Sequence, residues 1–392
     1  MKKIKLLFIL QSYSHGGTNK SLQNLLSLLN TEVYEYYIFS TNKDDVYKKI
    51  FSQYNIINCP KLLQLYSTSQ SIIIRAIRLI DRNSNYILFN LLTKLLVKKL
   101  EKKIKFDKVI AFEEGIYIRL IASAFNTNKI SWIHCDYKSY HKMFNTNLTI
   151  DQKSFSTFDK IICVSQTTAK SFLDLFPILE AKTDYIYNIL NSEEIIINAN
   201  HHKNLDSQFT NQDFTIISIG RLHTIKQFEK IPDIVKQIYK EYPNIKLKWF
   251  IIGDGDLSIK NKIIKKNINY NLHNIIICLG AKDNPYPYIK KSNLLVVTSL
   301  SEAYPCVINE AKILKIPILT TNFDSAHEIV DENTGIIAPL NEFPDIIPKM
   351  INNIDMTYSN LKDKIAEYKF NNDESVKKLN ILFQSNDSQK NL

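Results

Sequence analysis

Two doubly wound parallel α/β domains facing a central cleft are the fold class that this sequence predicts. Three observations carry it. Short apolar runs alternate with amphipathic stretches in both halves of the chain. The 392 residues suffice for two domains, each with its own core. A polar stretch rich in Asn, His, Asp and Gln, 192–213, interrupts the alternation, which then restarts. The predicted division is an N-terminal domain, 1–191, a linker, 192–213, and a C-terminal domain, 214–364. A helix at about 365–385 is expected to pack back on the first domain, ahead of a polar tail at 386–392.

KIKLLFIL opens the first half as a strand and is followed by the loop QSYSHGGTNK. The run from Ile4 to Leu10 is too short for a secretory leader, and no small-residue cleavage site follows, so a cytoplasmic protein is expected. A helix follows with Leu22, Leu25, Leu26 and Leu29 on one face. VYEYYIFST, KVIAFEE, ISWIH and KIICVS read as further strands. IYIRLIASAF and TTAKSFLDLF read as helices between them, and TDYIYNILN ends the half. Residues 72–105 form a long basic amphipathic region. Its Leu and Ile are interleaved with Lys98, Lys99, Lys102, Lys103 and Lys105, which suits an anionic membrane surface as well as a solvated outer face.

The second half places strands at FTIISIG, LKWFIIG, NIIICLG, LLVVTSL and PILTT. Helices are expected at EKIPDIVKQIYKEY, LSIKNKIIKKN and CVINEAKIL. The five cysteines, Cys59, Cys135, Cys163, Cys278 and Cys306, are scattered without metal-type spacing and read as reduced thiols. The net charge of +11 points to anionic partners, although no nucleic-acid-binding motif is present and no nucleic acid is expected.

Ligands of such folds bind beyond the carboxyl ends of the strands, so residues there are the candidate site. Only eight glycines occur, and most stand at such ends: Gly16, Gly17, Gly220, Gly253, Gly255 and Gly280 among them. ISIGRLHTIKQ sets Arg221 and Lys226 after a strand, two fixed cations suited to a diphosphate. In LVVTSLSEAYPCVINEAKIL, Glu302 stands on the loop and Glu310 on the following helix. They are close enough to grip two hydroxyl-bearing parts of one extended ligand. Asp254 and Asp256 flank Gly255 and are read as turn-forming residues rather than metal ligands, so no metal is expected. Glu113 and Glu114 end a strand before Gly115 and read either as acceptor-binding groups or as helix-entry acids.

GRL…K, then GDG, then LG, then SEAYPCVINEA, in this order, closely resemble glycosyltransferase family 4 of the GT-B fold. The resemblance extends to HGG, WIHCD and ICVSQ, covers roughly 4–339, and is densest at 216–321. WIHCDY resembles bacterial transferases of capsular or lipopolysaccharide sugars. The resemblance implies a retaining hexosyltransferase that uses a nucleotide-diphosphate sugar, UDP- before GDP-, and a glycan or lipid-linked acceptor, with no cofactor. It implies that Arg221 and Lys226 bind the donor diphosphate, Glu310 the ribose hydroxyls, and Glu302 a hydroxyl of the transferred sugar. Ala303, Tyr304 and Pro305 would line the donor with the glycines. His134 would face the sugar, and Asp136 with Glu113 and Glu114 would meet the acceptor. The family pattern has glycine where this chain has Gln227, Ala303 and Lys315, a loss of backbone freedom wherever φ is positive. A sugar-nucleotide epimerase and a non-catalytic nucleotide-sugar-binding protein are the alternatives.

Overall fold

The chain divides into two units, Met1–Leu190 with Asn372–Leu392, and Asn191–Asn371. The computed structural model describes residues 2–12, 16–42, 46–201, 205–209 and 213–385. His15 of the HGG loop and the expected polar tail, 386–392, lie outside the described residues.

The first unit holds seven strands: β1 (Ile4–Leu10), β2 (Tyr34–Ser40), β3 (Asn55–Ile57), β4 (Lys108–Ala111), β5 (Asn128–Ile133), β6 (Lys160–Cys163) and β7 (Thr183–Tyr185). They form one sheet in the order β3-β2-β1-β4-β5-β6-β7, with every pairing parallel. Helices cover both faces, so the central strands are near-continuous apolar runs. Leu6, Phe8 and Ile9 of β1 and Val109 and Ile110 of β4 are fully buried. β3 was not predicted. It is a three-residue edge strand, half exposed, and carries no apolar run.

The second unit holds β8 (Phe214–Ile219), β9 (Leu247–Ile252), β10 (Ile276–Gly280), β11 (Leu294–Val297), β12 (Ile318–Thr320) and β13 (Gly335–Ile337). Their order is β10-β9-β8-β11-β12-β13, again all parallel. β13, another three-residue edge strand, also escaped the sequence reading.

Three boundaries differ from expectation. The described residues of 192–213 belong to the second unit and not to a linker. Ser192–Ala199 is a helix of the second unit, capped by Asn191, which accepts from Glu194 N at 3.1 Å, with Ile195 and Ala199 buried. Farther on, Phe209 packs on Phe250, ring centroids 4.6 Å apart, and Tyr288 donates to Asp206 at 2.6 Å. These few anchors outweigh the polar composition. The terminal helix is Asp373–Gln384, shorter than expected, and residues 365–366 end a helix of the other unit. It packs on the first unit through Phe383, whose ring meets Phe8 and Tyr34 edge-on. Asn372 and Leu190 exchange two hydrogen bonds, of 3.2 and 2.7 Å, where the chain leaves and re-enters that unit.

The basic region is two helices, Ile72–Asn83 and Ile87–Glu101, broken at Asn85 and Tyr86, which have φ of 55° and 59°. Asp81 explains the break. Its carboxylate accepts from Leu88 N at 2.8 Å and Phe89 N at 3.1 Å, satisfying orphan amides of the second helix.

Candidate functional site

Strand order reverses at β8, with β9 and β10 on one side and β11 on the other, and ligands of open parallel sheets bind at such a point. The loops leaving β8 and β11 carry most of the residues singled out from sequence. They are sewn together: Leu300 N donates to Ile225 O at 2.8 Å, and Thr298 Oγ1 donates to Lys226 O at 2.6 Å. Lys226 Nζ forms an ion pair with Glu302, and Ser299 Oγ donates to the same carboxylate oxygen at 2.6 Å. Ser325 Oγ fixes the Glu302 carbonyl at 2.9 Å. Lys226 and Glu302 are thus held together, with their side chains 23% and 13% exposed, which leaves both reachable from solvent.

Backbone lies against backbone at the neighbouring strand ends. A Cβ on Gly253, where φ is +146°, would stand 1.8 Å from Gly220 O, and one on Gly255 would stand 2.6 Å from Leu222 O. Only glycine fits at Gly253. Leu222 N donates to Asp254 O at 3.0 Å and Asp256 N to Leu222 O at 2.8 Å, tying the loop of Arg221 to the GDG turn. Arg221 is exposed, its stem beside Gly255. Gly280 closes β10, and its carbonyl accepts from Gly253 N at 2.9 Å. Asp254 accepts from Gly255 N, and Asp256 caps the helix Leu257–Asn269 through Ser258 N at 2.8 Å.

Glu310 sits in the first turns of the helix Cys306–Ile313 and is 7% exposed. Tyr286 donates to its Oε1 at 3.3 Å, and burial above all, with the charge of Glu310, raises the phenol pKa and keeps that donor protonated. Tyr304 accepts from Asn309 at 3.2 Å, and Pro305 precedes the helix as its cap residue. Sequence reasoning missed Tyr286 and Ser299. The S-L-S-E spacing was the signal for Ser299, and nothing local marked Tyr286.

The three glycine departures separate by conformation. Gln227 and Lys315 take left-handed φ of 53° and 64°, whereas Ala303 is not among the positive-φ residues. A left-handed side-chain-bearing residue costs roughly 1–2 kcal/mol, offset in part by the extra freedom of glycine when unfolded. Gln227→Gly is expected to stabilise the second unit by about 0.5–1 kcal/mol. A urea midpoint unchanged or lowered would refute this.

The first unit places Gly16, Gly17, Glu113 and Glu114 at the matching reversal of strand order, after β1 and β4, and His134 and Asp136 after the neighbouring β5. Gly16 caps and Gly17 begins the helix Gly17–Leu28 after β1. Glu113 accepts from Gln11 N at 3.2 Å, which joins the two loops. Glu114 is buried and accepts from His134 N and the Cys135 thiol. Burial raises its pKa above the usual carboxylate range despite these bonds. His134 follows β5, its ring 4.6 Å from Phe112 and stacked over Trp132. Its Nε2 is shut off from solvent, and burial pushes its pKa down to about 3, so the imidazole is neutral at pH 7. Asp136 caps the helix Tyr137–Phe144 through Ser139 N at 2.8 Å and accepts from Ser171. Burial alone would raise its pKa, but these hydrogen bonds leave it lowered.

A network that sequence reasoning missed lies beneath these residues. Arg119 is wholly buried and pairs with Asp151. It also donates to Ser154 Oγ at 3.2 Å, Tyr137 OH at 3.1 Å and the Glu114 carbonyl, with its guanidinium 4.0 Å over the Phe155 ring. IYIRLIASAF carried the signal: Arg119 lies between the inward Ile118 and Ile121.

Comparison with known proteins fits this geometry. Residues 213–354 match the family model of glycosyl transferases group 1. An uncharacterized glycosyltransferase of Methanocaldococcus jannaschii is 30% identical over 203 residues, and that match spans about half of each protein, 50% of this chain and 48% of the other. The Campylobacter jejuni N-acetylgalactosamine-N,N'-diacetylbacillosaminyl-diphospho-undecaprenol 4-alpha-N-acetylgalactosaminyltransferase is 24% identical over 344 residues, 85% of each chain. The solved structure of Anabaena HepE in complex with UDP-glucose superposes with a TM-score of 0.73 at 16% identity, covering 96% of this chain and 99% of that one. The fold is GT-B, and the family resemblance read from the motifs is the one these matches bear out.

Proposed function

We propose that the protein is a retaining glycosyltransferase that moves a hexosyl unit from a nucleotide-diphosphate sugar, UDP- before GDP-, to a hydroxyl of a lipid-linked surface glycan. The observation that carries this reading is the Lys226–Glu302 pair at the reversal of strand order, flanked by the Gly220–Gly253–Gly255 backbone cradle and the buried Glu310. HepE binds UDP-glucose, and the Campylobacter relative is named for transfer to a diphospho-undecaprenol-linked acceptor, which supports both halves of the reaction.

In the proposed reaction the bond from the anomeric carbon to the phosphate oxygen breaks, and the acceptor oxygen joins the same face of the sugar. The departing phosphate oxygen takes the acceptor proton. Lys226 and Arg221 stabilise the charge that develops on the diphosphate without need of a metal. Glu302, held by Ser299, receives a sugar hydroxyl, and Glu310 receives the ribose hydroxyls. His134, neutral, would meet the sugar through Nδ1 without adding charge, its Nε2 being shut off from solvent. Of these acids in the first unit, Glu114 and Asp136 are buried whereas Glu113 is only half-buried, so the acceptor role is assigned to Glu113.

Nucleotide-diphosphate sugars are expected to raise the melting temperature, because a ligand that binds only the folded state stabilises it. Glu310→Gln should weaken nucleotide binding about tenfold, as a hydrogen bond to a charged group contributes roughly 1.5–3 kcal/mol. Equal calorimetric affinity in variant and parent would remove the ribose assignment. Product formed from donor alone, with no acceptor, would replace transfer by epimerisation.

A further inference from the structure

Residues 61–105 carry ten Lys and Arg against two acids, Asp81 and Glu101, a net of +8 within a chain whose total is +11. Both acids are engaged by backbone amides: Asp81 by Leu88 and Phe89, Glu101 by Asn126 N at 3.0 Å. The same segment, folded as the helices Lys61–Thr68, Ile72–Asn83 and Ile87–Glu101, is where apolar side chains are left in water. Of the 22 exposed large apolar side chains among the described residues, ten lie between Leu62 and Leu95, all of them Leu or Ile.

Their placement is ordered. At 100° per residue, Ile72, Ile73, Leu79 and Ile80 fall on one face of their helix, 83%, 71%, 61% and 66% exposed. Arg75, Arg78 and Arg82 form the stripe beside it, and Ile74, Ile77 and Asp81 face inward. On the next helix Ile87, Leu88, Leu91 and Leu95 are exposed, while Lys94, Lys98 and Lys99, and Lys102 just past its end, carry the charge toward its C-terminus. Arg82 donates to Asn145 O at 3.0 Å, which sets the exposed Met143 and Phe144 beside the same surface.

We infer that these three helices form a docking face for the surface of an anionic lipid bilayer. Exposed aliphatic side chains flanked by cations fit a headgroup layer over hydrocarbon, into which an amphipathic helix sinks its apolar face. Among the described residues no helix is long and apolar enough to cross a membrane, so the helices lie in the interface. A second copy of the chain fits poorly, since two faces of +8 repel. Nucleic acid fits poorly as well, because exposed Leu and Ile offer no stacking platform for bases. The proposal rests on these helices and is independent of the donor site.

Flotation of the full chain with vesicles tests it. The protein is expected to float with phosphatidylcholine vesicles containing phosphatidylglycerol and to stay behind with phosphatidylcholine alone. Replacing Lys98, Lys99, Lys102 and Lys103 together with Gln should lower the partition coefficient by on the order of 10²-fold or more, at about a fivefold loss per cation near the surface. Replacing Ile72, Ile73, Leu79 and Ile80 with Ser should abolish the binding that survives raised salt, because that part is apolar insertion. An unchanged melting temperature and unchanged nucleotide binding keep both variants interpretable as folded proteins. Failure to float with anionic vesicles overturns the proposal. So does binding that neither variant weakens, a dimer lost in the Ser variant with no change in flotation, or tighter binding to duplex DNA than to vesicles.

Discussion

Lys226→Ala is expected to lower the turnover of sugar transfer by on the order of 10²-fold or more, the loss seen when one preorganised partner of a developing charge is removed. The argument begins with position. Lys226 stands on the loop from β8, its carbonyl held by Thr298 and its ammonium by Glu302, so it is placed before any ligand arrives. In the proposed reaction a diphosphate takes over that ammonium, and a sugar hydroxyl takes over the carboxylate that the lysine leaves. The alanine variant removes the cation and also leaves Glu302, 13% exposed and steadied by Ser299, facing an incoming anion. Both effects fall on the same step. The rate is measured with saturating donor, and the melting temperature is measured alongside it. Transfer at near the parent rate in a normally folded variant would remove Lys226 from the chemistry and with it the main support for the proposed reaction.

Arg119→Ala should destabilise the first unit by about 3–5 kcal/mol, the cost of leaving a buried partner charge unpaired. Asp151, with one carboxylate oxygen already lacking a hydrogen bond, would lose the ion pair on the other. The Tyr137 hydroxyl and the Glu114 carbonyl would lose a donor as well. For a unit of about 200 residues this is a fall of roughly 10 °C in melting temperature. The double variant Arg119→Met with Asp151→Leu removes both charges at similar volume and should recover most of the loss. A fall under about 2 °C in the single variant, or no recovery in the double, would show that the network does not hold the unit together.

Alternation of short apolar runs with amphipathic stretches was enough to read both parallel sheets, because strands buried on both faces must be apolar throughout. β3 and β13 were illegible for the converse reason: edge strands of three residues, part exposed, leave no such run. Composition misled at 192–213, where one helix cap and one buried Phe209 decided the outcome within polar surroundings. The candidate-site residues were legible as types and positions, since glycines and charges at strand ends are visible locally. Which of them would pair was not, because Lys226 and Glu302 are 76 residues apart.

The residues alone determined the two-sheet architecture, the strand ends that carry the candidate site, and the excess of positive charge, each being a property of short stretches read along the chain. Tertiary structure decided what no stretch contains. It joined Lys226 to Glu302 across neighbouring strands, closed Arg119 over Asp151, and gathered the bare Leu and Ile of three helices beside their cations. Those outcomes depend on which distant groups the packed sheets bring within a few ångströms, and burial then makes each such meeting strong or costly.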